Sequence, residues 1–173
     1  MKNKPAITYY TFLFACLLGL LSTGKAEAQE HGIFELTANE TRSNLSANKT
    51  KKNNRIKFYN LYQNLHTTAY LSNKTISNVY GKDKIKKLNF EDTRSFGLLD
   101  KQTFDEAELI TIKVKKLSDL SNRLDLTTNE KLSNLKYVFV KCYFKCTAQQ
   151  IEKFVKVKSN SNIRIFYKTE SPS

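Results

Sequence analysis

Three short runs in the C-terminal third alternate apolar and polar residues: Leu109–Val114, Tyr137–Cys142 and Asn162–Tyr167. A period of two is that of an extended strand with distinct faces. The runs start 28 and 25 residues apart, and each interval holds a helical pattern. In the first, Leu117, Leu120 and Leu124 share a face, with Ser118 or Asp119 placed to cap it. In the second, Thr147-Ala148-Gln149-Gln150 has the form of a capping box, and Ile151, Phe154 and Val155 follow as a buried stripe. Strands joined by such crossovers are normally parallel, and the crossovers are right-handed. If the strands are ordered sequentially, both helices lie on one face of the sheet. The other face is then open to solvent or covered by the residues that precede it. The expectation is an α/β fold: a β-α-β-α-β unit over residues 108–168 with a short parallel sheet, preceded by a mixed α+β segment, within one domain over 55–173.

The preceding segment is less regular. Phe58, Leu61, Tyr62, Leu65 and Ala69 recur at helical spacing, which predicts an amphipathic helix starting near Arg55. Thr75–Tyr80 reads as a strand ending at Gly81, and Lys82–Lys87 as a basic cluster on a turn or short helix. The repeat interval offers an alternative. The frames Phe104-x-x-Ala107-x-x-Ile110-x-Ile112 and Leu132-x-x-Leu135-x-x-Val138-x-Val140 resemble in part the leucine-rich-repeat consensus, which would imply a short solenoid. The third frame, Val157-x-x-Asn160-x-x-Ile163-x-Ile165, departs at its second anchor.

The N-terminus bears on compartment. Lys2 and Lys4 precede the apolar stretch Phe12–Leu21, and Ala26-Glu27-Ala28 has the small-x-small form of a signal-peptidase site. Residues 1–28 therefore read as a secretory signal, and the stretch is too short for a membrane span of about 20 residues. Removing the signal takes three Lys and one Glu from the 29 basic and 16 acidic residues, leaving a net charge of +11. It also takes Cys16, so Cys142 and Cys146 remain as an even pair in a secreted or periplasmic setting that permits oxidation. In a continued strand they would lie about 13 Å apart, too far to bond. A turn ahead of a Thr147 cap would bring them together. Two thiols without a neighbouring His do not make the four-ligand set of zinc, so no metal is expected. Residues 29–54 are almost wholly polar and read as a flexible arm.

Alternation divides the strands into two faces. Ile110, Ile112, Val114, Val138, Val140, Cys142, Ile163 and Ile165 lie on an apolar face that the helices can cover. The opposite face carries Lys113, Tyr137, Phe139, Lys141, Tyr143, Arg164, Phe166 and Lys168. Two readings of that face stand. Its aromatics are a second core, with lysines snorkelling at the strand ends; or it is an exposed platform, on which Phe139, Tyr143 and Phe166 stack flat groups while Lys113, Lys141, Arg164 and Lys168 attract anions.

Glycine-rich phosphate loops, Gly-x-Ser-x-Gly and His-Glu-x-x-His are all missing, so neither a cofactor nor an enzyme is expected. The acidic clusters Glu91-Asp92 and Asp105-Glu106 with Glu108 leave a hydrolase as a remote alternative. The favoured expectation is an exported, non-enzymatic protein that binds an anionic polymer such as surface polysaccharide, or a lipid-headgroup surface. A protein–protein interaction module docking another exported protein is the rival, and export makes intracellular nucleic acid a poor partner.

Overall fold

The structure is a computed structural model that describes residues 32–36, 49–128 and 130–170, and the side chains of all of these except 49–54. The signal segment and most of the arm lie outside the described residues. In chain order the elements are β1 (Ile33–Glu35), α1 (Lys49–Gln63), β2 (Thr68–Ser72), β3 (Thr75–Tyr80), β4 (Lys87–Phe90), a 3-10 turn (Thr93–Ser95) and α2 (Leu98–Lys101). They continue with β5 (Leu109–Val114), a 3-10 turn (Leu117–Ser121), β6 (Leu124–Asp125), a 3-10 turn (Glu130–Leu132), β7 (Tyr137–Cys142), α3 (Ala148–Phe154), β8 (Val155–Lys156) and β9 (Arg164–Thr169). One seven-stranded sheet has the order β1-β9-β7-β5-β4-β2-β3, and β6 and β8 form a small parallel pair. All neighbours in the large sheet are parallel except the β2–β3 hairpin. The fold is thus α/β with a mixed, mostly parallel sheet, and the described residues show no solenoid.

Sequential order in the β5, β7, β9 stretch follows from the short crossovers. Each returns on the same face, where Leu99, Phe104, Leu124, Leu135, Ile151 and Phe154 pack on the strands' Ile112, Val140 and Ile165. The Thr147 cap forms as its sequence implies: its N–H donates to Gln150 Oε1 (2.9 Å), and Gln150 N–H donates to Thr147 Oγ1 (3.3 Å). The helix expected from Leu117 to Leu124 is instead a 3-10 turn. The Asp119 carboxylate accepts from the N–H groups of Lys115 (3.0 Å) and Lys116 (3.1 Å), which closes the turn tightly. Leu117 is left exposed, and Leu124 enters β6 as a buried residue.

The last strand begins two residues later than its alternation suggests, at Arg164. The later start leaves the alternation unchanged, so every side chain in the strand keeps its expected face. The N-terminal helix also moves: α1 starts at Lys49 and ends at Gln63. The Lys87 ammonium donates to the carbonyls of Tyr62 (3.3 Å), in the helix's last turn, and Asn64 (3.0 Å), just beyond it. Leu65 is therefore outside the helix and fully exposed, and Ala69 lies in β2. Within the stretch read as an arm, Ile33–Glu35 pairs with β9 as an edge strand, because Leu36 and Phe34 have an apolar cluster to join.

The second face of the sheet is where the two sequence readings part. Helix α1 lies over β7 and β9. The Phe58 ring, with no exposed surface, stands 5.4 Å from Phe139, 4.5 Å from Phe166 and 5.7 Å from Tyr137, measured between centroids. Those three rings are a second core, not a surface.

Candidate functional site: a lysine row at the strand ends

Parallel register carries one consequence for charge. Lys113 of β5 is the register partner of Lys141 of β7, which is the register partner of Lys168 of β9. Neighbouring strands lie about 4.8 Å apart, so three ammonium-bearing side chains leave one face of the sheet in a line. They stand at the carboxyl ends of the parallel strands, beyond the edge of the α1 cluster. In open α/β sheets this is the end at which ligands are usually held.

Two carboxylates attend the row. Glu91, just after β4, accepts from Lys113 (2.6 Å). Glu170, just after β9, lies between the other two, 3.0 Å from Lys168 and 3.5 Å from Lys141. Its backbone N–H donates to Cys142 O (2.7 Å), which continues the β7–β9 ladder and sets the side chain's direction. The lysines are recessed, with side-chain exposures of 33%, 20% and 34% for Lys113, Lys141 and Lys168. Burial works against the Lys141 ammonium, but Tyr62, Glu170 and Tyr143 outweigh it and its pKa is raised. Glu170 shows the mirror image: burial opposes its charge, and Lys168 and Lys141 hold its carboxyl below the ordinary range. Both shifts favour the charged forms of Lys141 and Glu170.

Tyr143 flanks the row, and a disulfide places it. Cys142 and Cys146 lie at bonding distance, 2.11 Å between sulfurs and 6.3 Å between Cα atoms, as the turn before the Thr147 cap allows. Tyr143 N–H donates to Val114 O (3.0 Å), while Phe144 turns inward against the core. The Tyr143 ring is left 38% exposed beside Lys141.

Of the residues expected to bind ligand, Lys113, Lys141, Tyr143 and Lys168 come together. Three do not. Phe139 and Phe166 are covered by Phe58 and cannot stack a ligand. Arg164 pairs in register with Tyr137 at the opposite, amino end of the sheet, about 13 Å along β9 from Lys168. Sequence reasoning missed Glu170, Glu91 and Tyr62. The signal for Glu170 was its place two residues after Lys168, on the same face of the strand.

The remaining acidic groups are engaged elsewhere. Asp92 accepts from the Asn73 backbone N–H (2.8 Å) and the Ser95 hydroxyl (3.0 Å), fixing the β2–β3 turn. Lys84 and Lys86 bind Glu106, and Lys136 and Lys86 bind Glu108, which lowers the pKa of both carboxyls. That shift is the wrong direction for a general acid. His66 lines an open cavity of about 900 Å³ with Leu65, Tyr80 and Glu106, and no hydrogen bond joins its ring to either acidic cluster among the described residues.

No family model, curated protein or solved structure matches the chain. Among the described residues no helix is long and apolar enough to cross a membrane.

Proposed function

We propose that this chain is an exported, non-enzymatic protein that binds an anionic ligand on the row Lys113, Lys141, Lys168, with Tyr143 at its side. The observation that carries the reading is the charge balance of the row: three ammonium groups held in register against two carboxylates. Like charges on adjacent strands repel and are unfavourable as pure structure. Recessed in a partly dehydrated setting, they attract an anion more strongly than freely solvated lysines do. Export is supported by the basic and apolar N-terminal pattern and by the cysteine pair at disulfide distance.

The test is retention on immobilised heparin and its dependence on salt. Screening shortens from about 10 Å at 0.1 M to about 3 Å at 1 M ionic strength, so retention at low salt is lost at high salt. Lys141→Glu reverses the central charge, and at an unchanged melting temperature it abolishes retention. Salt-insensitive binding, or an unaffected Lys141→Glu variant, overturns the reading.

One observation favours a second reading. Strand β3 is an outer edge with no charged residue in Thr75–Tyr80, and its Val79 and Tyr80 are exposed. Edges of this kind accept a strand from another protein. Capture of one defined partner that survives 1 M salt and is lost on Val79→Lys supports that reading over the first.

A further inference from the structure

The arrangement of charges also constrains the shape of the ligand. Resting on the reading of the row as the binding site, we infer that the ligand is a linear acidic polysaccharide with a carboxylate on successive sugars, lying across the strands, and that Glu91 and Glu170 hold the places of its carboxylates.

The argument starts from reach. Lys113 and Lys168 are two strand spacings apart at their Cα atoms, close to 10 Å. The protein's own carboxylates show what one such group can span. Glu170 touches Lys141 and Lys168 and leaves Lys113 to Glu91. A single compact anion therefore serves two lysines at most, and the whole row is satisfied only by carboxylates in series.

Recession selects among carriers of several charges. A bilayer presents its headgroups on a broad surface and is met by protruding cations. The most central of these lysines, Lys141, is the least exposed at 20% and lies between Tyr62, Tyr143 and Glu170. A narrow chain can reach a cation set back between flanking side chains, and a broad surface cannot. Tyr143 supplies the remaining preference: an exposed, disulfide-positioned ring next to a line of cations offers an apolar face to a sugar ring while the neighbouring lysine takes its carboxylate. Nothing covalent occurs; ligand carboxylates exchange with those of Glu91 and Glu170 on the same ammonium groups.

The probes are galacturonic acid oligomers of one to six sugars, titrated calorimetrically into the full chain at low salt. Affinity rises severalfold with each sugar up to about three and then levels off. Glu170→Gln removes a competing carboxylate and tightens hexamer binding severalfold, and Glu91→Gln does the same in a second, independent place. Tyr143→Ala, in a variant that melts normally, weakens hexamer binding about tenfold. Monomer and hexamer binding equally overturns the inference while the lysine row stands. Capture by phosphatidylglycerol vesicles, or by polyglutamate, in preference to the hexamer also overturns it. A hexamer affinity unaffected by Lys113→Gln with Lys168→Gln, in a variant that melts normally, overturns the row itself and the inference with it.

Discussion

Replacing Phe58 with Ala removes the side chain on which α1 is seated. Its ring is fully buried and meets five others, with centroids 5.3 Å from Tyr59, 5.8 Å from Tyr62, 5.7 Å from Tyr137, 5.4 Å from Phe139 and 4.5 Å from Phe166. A buried Phe→Ala change costs about 3–5 kcal/mol, through lost transfer energy and the cavity it leaves. The ring is surrounded on the helix side and the sheet side, so the cavity cannot close without moving α1. A loss of about 4 kcal/mol is expected, which is a large share of the roughly 5–15 kcal/mol that holds an ordinary domain together. At about 3 °C per kcal/mol for a chain of this size, the melting temperature falls by about 12 °C. Urea unfolding followed by circular dichroism and tyrosine emission measures it, since the chain has no Trp. Partial release of α1 also uncovers Phe139 and Phe166, so binding of a hydrophobic dye rises below the transition. Leu65→Ser is the matched control: Leu65 continues the same heptad-like spacing in sequence but is fully exposed, and its change stays within about 0.5 kcal/mol. A Phe58→Ala loss under about 1 kcal/mol, or a Leu65→Ser loss as large, refutes the placement of α1 on the sheet.

Three further outcomes follow from the same geometry. Replacing both Cys142 and Cys146 with Ala opens a loop of sequence separation 4; the chain-entropy relation for so short a loop gives a loss of about 2 kcal/mol, read from urea midpoints under non-reducing conditions. Gly81→Ala adds a Cβ at a φ of +103° that would approach Thr67 Oγ1 to 2.4 Å and its Cα to 2.8 Å, and destabilisation by about 1–3 kcal/mol is expected in thermal melts. Lys136 and Lys86 hold the Glu108 carboxyl below its ordinary value of 4.5. A depressed folded pKa contributes stability that is fully present above that value and is lost as pH falls through the lower, folded one, so urea midpoints rise with pH on the acid side and Glu108→Gln flattens that rise.

How far the fold could be read depended on whether its signal was local. The strands Leu109–Val114 and Tyr137–Cys142 and the Thr147 cap were legible because alternation and capping are properties of a few consecutive residues. Strand β4 was not, because Lys87-Leu88-Asn89-Phe90 is short and follows a basic run; what makes it a strand is the pairing with β2 and β5 on either side. The end of α1 was hidden for a similar reason. Phe58, Leu61, Tyr62 and Leu65 share one spacing, whereas the cation at the helix end, Lys87 on the carbonyls of Tyr62 and Asn64, comes from more than 20 residues away and leaves no trace in that local pattern.

The site divides along the same line. Alternation tells which face of a strand a lysine takes, and a sequential parallel order then places Lys113, Lys141 and Lys168 side by side without further information. Whether a cation on that face is free, paired or buried depends on which distant groups the register brings to it. Phe139 and Lys141 lie two residues apart on one strand and on one face, yet Phe58 closes over the first while the second remains reachable between Tyr62 and Tyr143. The boundary between core and candidate site therefore falls within a single strand, at the edge of α1. A helix one turn longer at its C-terminus would cover more of the sheet, so the end of α1 at Gln63, where Lys87 meets its last carbonyls, sets how much of the second face is withdrawn from solvent.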